Sequence, residues 1–388
     1  MSPSIAILGA GPGGLTLGRL LHLANKHFIM FDLDLTSTSR PQGGTLDLHP
    51  TSGQAAIAAC GLTTEFQALS RLEGEAFRLA NKSNTLLIDI PASAGKGERP
   101  EIDRKDLRDM LVRSVPADKI RWGTKVLDVV KETDGDGWVV KHSKGEDRFD
   151  IVVGADGAWS RARAALSDVK PYYSGVSGVD LCFSDVDEKN PAISEMVGRG
   201  SLFAFGDGKA LISQRNGDRS VRSYAMLRKG EEWLEESGIP WEDSEKAKAA
   251  LVEGYYMDWA DALKDLMYKA DKDITTRKLF MLPVDFRWTH QKGCTLLGDA
   301  AHLMTPFAGV GVNLAMLDAM ELAEALGGDD WQERVKEHEV KMMERGEKNA
   351  KETWSNLELA FREDSPTGFM AKMMEYMGGD GHIKASKQ

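Results

Sequence analysis

Cysteine is scarce in this chain: three residues among 388, Cys60, Cys182 and Cys294. An odd number at wide spacing supports neither a disulfide framework nor a metal-ligand pattern, so all three read as buried free thiols of a reducing compartment and no metal is expected. Positive charge is also in deficit. With 49 Lys and Arg against 60 Asp and Glu, the formal net charge is −11, which repels nucleic acid and anionic lipid on average and argues against both as partners. No apolar run reaches the roughly eighteen residues that a membrane-spanning helix requires. No charged-then-apolar leader precedes the first strand, and the terminal Ala385-Ser386-Lys387-Gln388 falls short of a Ser-Lys-Leu address. A cytoplasmic monomer is expected. What the chain does have is apolar content, 42% over 388 residues, enough for one large α/β domain or two closely packed ones.

The N-terminus carries the first informative pattern. Ser4-Ile5-Ala6-Ile7-Leu8 reads as a buried strand, Gly9-Ala10-Gly11-Pro12-Gly13-Gly14 follows it, and an apolar helix runs from Leu15 to Leu23. In that context Gly9 permits the tight turn, Gly11 lets a pyrophosphate reach the backbone, and Gly14 lets helix and strand pack closely. His27 to Phe31 reads as the second strand and ends at Asp32, about twenty residues past the glycines, where a ribose hydroxyl is expected. Strand, glycines, helix, strand and acid together predict a dinucleotide site. The next segment, Arg40 to His49, departs from a regular β-α-β alternation. Its Gly43-Gly44 turn and Asp47 suit a loop laid against an extended cofactor, although a solvated turn explains the same residues.

Two later stretches repeat the strand-then-acid logic. Ile151-Val152-Val153 reads as a central parallel strand ending in Asp156-Gly157, with Ser160 placed to cap the following helix. Cys294 to Leu297 reads as another, leading through Gly298-Asp299 and the loop Pro306 to Gly311 into a helix patterned by Leu314, Leu317 and Leu322. Gly309 and Gly311 leave the backbone open to a ligand, and Asp299 can accept a hydroxyl; a tight turn with a capping acid accounts for them equally. His302 reads as structural, packing under the loop, and no residue is assigned as a general base. Between these stretches, Glu101 to Leu111 predicts an amphipathic helix with Leu107, Met110 and Leu111 inward and Arg104 at its start.

From Tyr172 to Arg228 the pattern becomes antiparallel, with strands at Ser201–Phe205, Ala210–Ser213 and Ser220–Met226 that could roof a substrate pocket. Glu231 to Ala270 reads as helical, with Trp233, Trp241, Tyr255, Tyr256 and Trp259 more in keeping with a core than with ligand stacking. Trp331 to Met374 predicts a long charged terminal helix.

The set formed by Gly9 to Gly14, Asp156-Gly157 and Gly298-Asp299 resembles the three motifs of the group A flavoprotein aromatic hydroxylases, the para-hydroxybenzoate hydroxylase class. Gly43 to His49, the helix around Arg104 to Arg108, and Gly298 to Asn313 look most like the tetracycline destructases. The resemblance implies an α/β fold: a glutathione-reductase-like Rossmann FAD-binding domain (1–72, 100–170 and 272–325), an inserted antiparallel-sheet substrate domain (73–99 and 171–271) and a C-terminal helical region (326–388). It implies non-covalent FAD, NADPH and O2 as co-substrates, and hydroxylation of a phenolic, enolic or polyketide-like small molecule through a flavin C4a-hydroperoxide, with tetracyclines among the candidates. Carried over by motif, Gly9, Gly11, Gly14, Asp32, Asp47, Arg104, Asp156, Gly157, Gly298, Asp299, Gly311 and Asn313 would bind FAD. Pro306, Gly309 and Gly311 would lie beside the flavin ring, Arg40 would serve NADPH, and Arg222 would stand where a substrate-binding His is found. Val310 and Thr305 replace a Gln and a Pro frequent in the family. A nicotinamide dehydrogenase would explain the first motif but not the other two; a non-enzymatic escort of the GDI kind would use the same fold without flavin chemistry.

Overall fold

The chain is described here by a computed structural model covering residues 3–39, 43–92 and 98–377, excluding the side chains of 373–377. Its organising element is a five-stranded parallel sheet in the order Cys294–Leu296, Ile151–Gly154, Ile5–Leu8, Phe28–Phe31, Ile120–Arg121. The central strands are apolar on both faces because both are covered, as parallel sheets require. The helices Pro12–Leu23, Arg104–Ser114 and Gly311–Ala325 pack against one face. On the other lies a meander of Val126–Lys131, Trp138–His142 and Gly145–Phe149. Since the strands all run the same way, their carboxyl ends share one edge. Gly9 to Gly14, Asp32, Asp156-Gly157 and Gly298-Asp299 are therefore gathered along that edge, where α/β sheets bind ligands.

A seven-stranded mixed sheet follows the order Thr275–Met281, Tyr172–Phe183, Val221–Arg228, Lys209–Arg215, Ser201–Gly206, Phe77–Asn81, Leu86–Ile90. All neighbours are antiparallel except Ser201–Gly206 against Phe77–Asn81. One face packs on the helices of 233–268 and the other on the C-terminal helices. Trp233, Tyr256 and Trp259 are buried in the first of these layers, and Trp233 Nε1 donates to the Tyr255 hydroxyl at 2.8 Å, so the aromatics are core.

Three expectations change in detail. Glu101–Asp103 is a strand paired antiparallel with Thr45–Asp47, and the helix begins only at Arg104. Ile102 fills the core there while its neighbours serve the ladder, a two-residue period that the charges disguise. The region 231–270 is not one helix but Trp233–Glu236, Ser244–Leu251, a π turn Val252–Tyr256 and Asp261–Tyr268, interrupted first at Gly238 and Pro240. The terminal helix ends at Ala360 after 30 residues and a second runs Thr367–Met377. The three cysteines are free, and burial pushes the Cys60 thiol up to about 12. Among the described residues no helix is long and apolar enough to cross a membrane.

Candidate cofactor and active site

At the sheet edge Gly9 adopts φ +104, and a Cβ there would strike the Ala155 carbonyl; one on Gly14 would strike the carbonyl of Gly9. Packing therefore demands both glycines. Gly11 differs: nothing lies within 4 Å of where its Cβ would be. It opens beside the N-terminus of Pro12–Leu23, which has no side-chain cap and no acid in its first turn, leaving N–H groups free for an anion. Asp32, 8% exposed, accepts from the Ala10 N–H at 2.7 Å and the Asp34 N–H at 2.8 Å, tying the second strand to the glycine loop. Arg108 completes this corner and was not anticipated from sequence. It pairs with buried Asp34 at 3.0 Å and donates to the Ser37 carbonyl at 2.5 Å. The signal was there: a cation on the same face as Leu107 and Leu111.

Asp156 Oδ2 accepts from the Arg161 N–H at 2.7 Å, while its buried Oδ1 has no partner, and burial raises the carboxyl above its ordinary range. Gly157 follows at φ +75. Ser160 caps its helix as expected, accepting from the Arg163 N–H at 2.9 Å. Arg163 is a second residue missed from sequence. Its guanidinium is nearly buried and donates to the carbonyls of Ala158, Asp299 and Ala300, the last at 3.0 Å, binding the middle and late loops together.

Gly298 sits at φ +58, with the slot for a Cβ filled by Ala315 at 2.9 Å. Asp299 and Arg104 share an uncommon setting. Each is open to solvent, yet each is enclosed by enough protein that burial shifts it: Asp299 upward, against the positive charges of His302, Arg104 and Arg163, and Arg104 downward, against Tyr224 and Asp299. The Arg104 guanidinium donates to no group among the described residues, although its backbone N–H is fixed to the Gly44 carbonyl at 3.2 Å.

Pro306 and Gly309 are exposed, Gly309 at φ +67, and the Cβ position of Gly311 faces open space. This loop is held from behind: Thr353 Oγ1 donates to the Thr305 carbonyl at 2.7 Å and Asn356 Nδ2 to that of Phe307 at 2.8 Å. Asn313, 1% exposed, spends its amide on protein. Nδ2 donates to the Asp47 carbonyl at 2.8 Å, and Oδ1 accepts from the N–H groups of His49 at 2.8 Å and Gly53 at 3.3 Å. Its side-chain amide thereby ties Gly311–Ala325 to the segment from Asp47 to Gly53. Asp47 itself pairs with His49 Nε2 at 2.9 Å.

Arg222 lies on the face of the mixed sheet, where it and Arg277 both bond Asp180 Oδ2, at 2.9 and 3.2 Å. Arg222 Nε and Asp180 Oδ1 are buried without partners. The Gly43-Gly44 turn lies directly on these side chains: a Cβ on Gly43 would collide with the Arg222 guanidinium, and one on Gly44 would come within 2.9 Å of the Tyr224 hydroxyl. Next to them is an apolar layer of Phe203, Ile212, Tyr224, Met226, Phe307 and Trp354. Arg40 lies outside the described residues. Among those described, no cluster of His, Cys, Asp and Glu could hold a metal ion.

The open glycines, uncapped helix, uncommitted guanidinium and unpartnered carboxylate oxygen along one edge fit a long cofactor carrying phosphates and hydroxyls. Known proteins agree. The family model described as FAD binding domain matches residues 3–330. The chain is 33% identical to "Monooxygenase penA" of Penicillium thymicola over 417 residues, spanning 93% of this chain and 96% of that protein. Its fold matches that of HpxO from Klebsiella pneumoniae, solved with FAD and uric acid, at TM-score 0.78 and 19% identity, covering 96% of this chain and 92% of that one. It matches tetracycline destructase Tet(51) at TM-score 0.70 and 16% identity, covering 99% and 98%. The chain belongs to the FAD binding domain family and is a flavoprotein monooxygenase.

Proposed function

We propose that this enzyme uses NADPH and O2 to place one oxygen atom on an electron-rich phenolic, enolic or polyketide-like small molecule, held between the mixed sheet and the Pro306 to Gly311 loop. The chemistry FAD supplies when bound is acceptance of hydride and activation of dioxygen. The chain's own tasks are to bind, orient and dry the site. Asp32 would take the adenosine ribose and Gly11 with the first turn of Pro12–Leu23 the pyrophosphate. Arg104 adds positive charge, Asp156 and Asp299 accept hydroxyls, and the backbone of 306–311 faces the ring. Arg40 is the residue proposed for NADPH.

The observation that carries the reading is adjacency. Arg104 stands within electrostatic reach of Asp299 at the parallel-sheet edge and of Arg222, Arg277 and Tyr224 on the sheet face. Arg222 and Arg277 share the carboxylate of Asp180, and Arg104 stands near both of them and near Asp299; three guanidinium groups against two carboxylates leave an excess of positive charge that favours an ionised substrate oxygen, and an ionised phenol or enol is the more electron-rich form. The aromatic layer beside it excludes water. The test is mass spectrometry of a tetracycline and a panel of phenols incubated with the protein, NADPH and air. A product one oxygen atom heavier and dependent on NADPH supports the proposal. A protein that oxidises NADPH with none of the panel, or that cannot be loaded with FAD, overturns it.

A further inference from the structure

Beneath the Gly298-Asp299 turn lies a buried ionic network that the reading above does not use. Asp318, wholly buried within Gly311–Ala325, accepts through Oδ2 from the Gly298 N–H at 3.1 Å and pairs through the same oxygen with His302 Nε2 at 2.6 Å. Those two groups bracket the single helical turn Asp299–His302. One carboxylate therefore holds both ends of the turn that presents Asp299. Ala315, one turn earlier on the same helix, fills the Cβ slot of Gly298, so packing and hydrogen bonding fix the turn together. The other oxygen, Oδ1, accepts from Arg345 Nη2 at 2.8 Å, and Arg345 in turn forks onto Glu321 at 3.0 and 2.7 Å. Arg345 lies on Trp331–Ala360, the helix whose Thr353 and Asn356 grip the loop before Gly309.

We propose that Asp318 is a positioning residue for FAD: with His302 and Arg345 it clamps the Gly298-Asp299 turn, so that the long C-terminal helix splints the flavin side of the site. A buried carboxylate with two cations is a poor way to gain stability, since well-packed apolar side chains serve as well or better. Its value lies in fixing one geometry. Burial alone would raise the Asp318 carboxyl, but His302 and Arg345 hold it down at about 2, so it is ionised near neutral pH.

The proposal rests on the assignment of Asp299 to FAD, and the experiment separates the two. FAD dissociation constants are measured by flavin fluorescence quenching on titration into apo-protein, alongside apo-protein melting temperatures. Asp318→Asn is expected to weaken FAD binding by about tenfold to a hundredfold, the worth of a charged hydrogen bond. Glu321→Gln shares the Arg345 contact but touches neither Gly298 nor His302; it should lower the melting temperature while leaving the constant within about twofold. Should Asp318→Asn not fold, Arg345→Met, on a partly exposed side chain, is expected to weaken FAD binding in the same direction. An unchanged constant in the folded Asp318 or Arg345 variant, or changes that follow melting temperature equally at Glu321, would overturn the clamp. Asp299→Ala decides the other assignment: an unchanged constant removes Asp299 from the site, whereas weakened binding there with none at Asp318 removes the clamp alone.

Discussion

Replacing Asn313 tests how the site is held together. The helix Gly53–Ala59 has no cap from its own Ser52; the Gly53 N–H is satisfied instead by Asn313 Oδ1, 260 residues away. The same oxygen takes the His49 N–H, and Nδ2 covers the Asp47 carbonyl. Asn313→Ala removes the partner of one buried backbone group, the Gly53 N–H, and of two partly buried ones, the His49 N–H and the Asp47 carbonyl. At roughly 1–3 kcal/mol each, eased where the segment can move toward water, the loss is about 2–4 kcal/mol, a large part of the 5–15 kcal/mol typical of a folded domain. Asn313→Asp keeps the acceptor for His49 and Gly53 but sets a carboxylate oxygen against the Asp47 carbonyl, so it should cost at least as much. Urea unfolding of apo-protein gives the stability change, and flavin titration gives the accompanying loss of FAD affinity. A loss below about 0.5 kcal/mol for Asn313→Ala would refute the reasoning, because no buried group could then have been orphaned.

Two further outcomes are expected. Because the Arg104 guanidinium has no hydrogen-bond partner among the described residues, Arg104→Met should leave apo-protein stability unchanged or slightly higher, while weakening FAD by about tenfold or more; fluorescence titration and thermal melts check both. Glu101 gives a pH dependence: burial, with Asp47 and Asp103 nearby, raises its carboxyl from 4.5 to about 7 despite the Thr45 hydroxyl and Arg71. Between those values the unfolded chain has released the proton and the folded chain still holds it, so stability falls as pH rises from about 4.5 to 7 and levels off above. Glu101→Gln should remove that fall and raise stability at pH 8 by up to about 3 kcal/mol, and denaturant titrations at several pH values that show the same slope in both proteins would exclude it.

What the sequence made legible, and what it did not, divides along physical lines. The sheet edge was readable because each of its loops is local: a buried apolar strand followed at once by glycine or acid, at Gly9, Asp32, Asp156 and Gly298, and parallel pairing then brings them together with no further information. The groups that hold the edge were not readable, because their partners are remote. Arg108 grips Asp34, Arg163 the carbonyls of Asp299 and Ala300, Asn313 the backbone near Asp47, and Asp318 the Gly298 turn. In sequence each is a polar residue on an otherwise apolar helix face, which the helical period marks as an irregularity without naming what it meets. Arg222 shows the same limit on a strand. Alternation predicts that it shares a face with Tyr224, but only the register, which sets Cys182 against Arg222 and Asp180 against Tyr224, brings it to Asp180. A polar residue that breaks an apolar period next to a ligand-binding motif is thus the sign to look for, since burying such a group is tolerated only where it meets a specific partner.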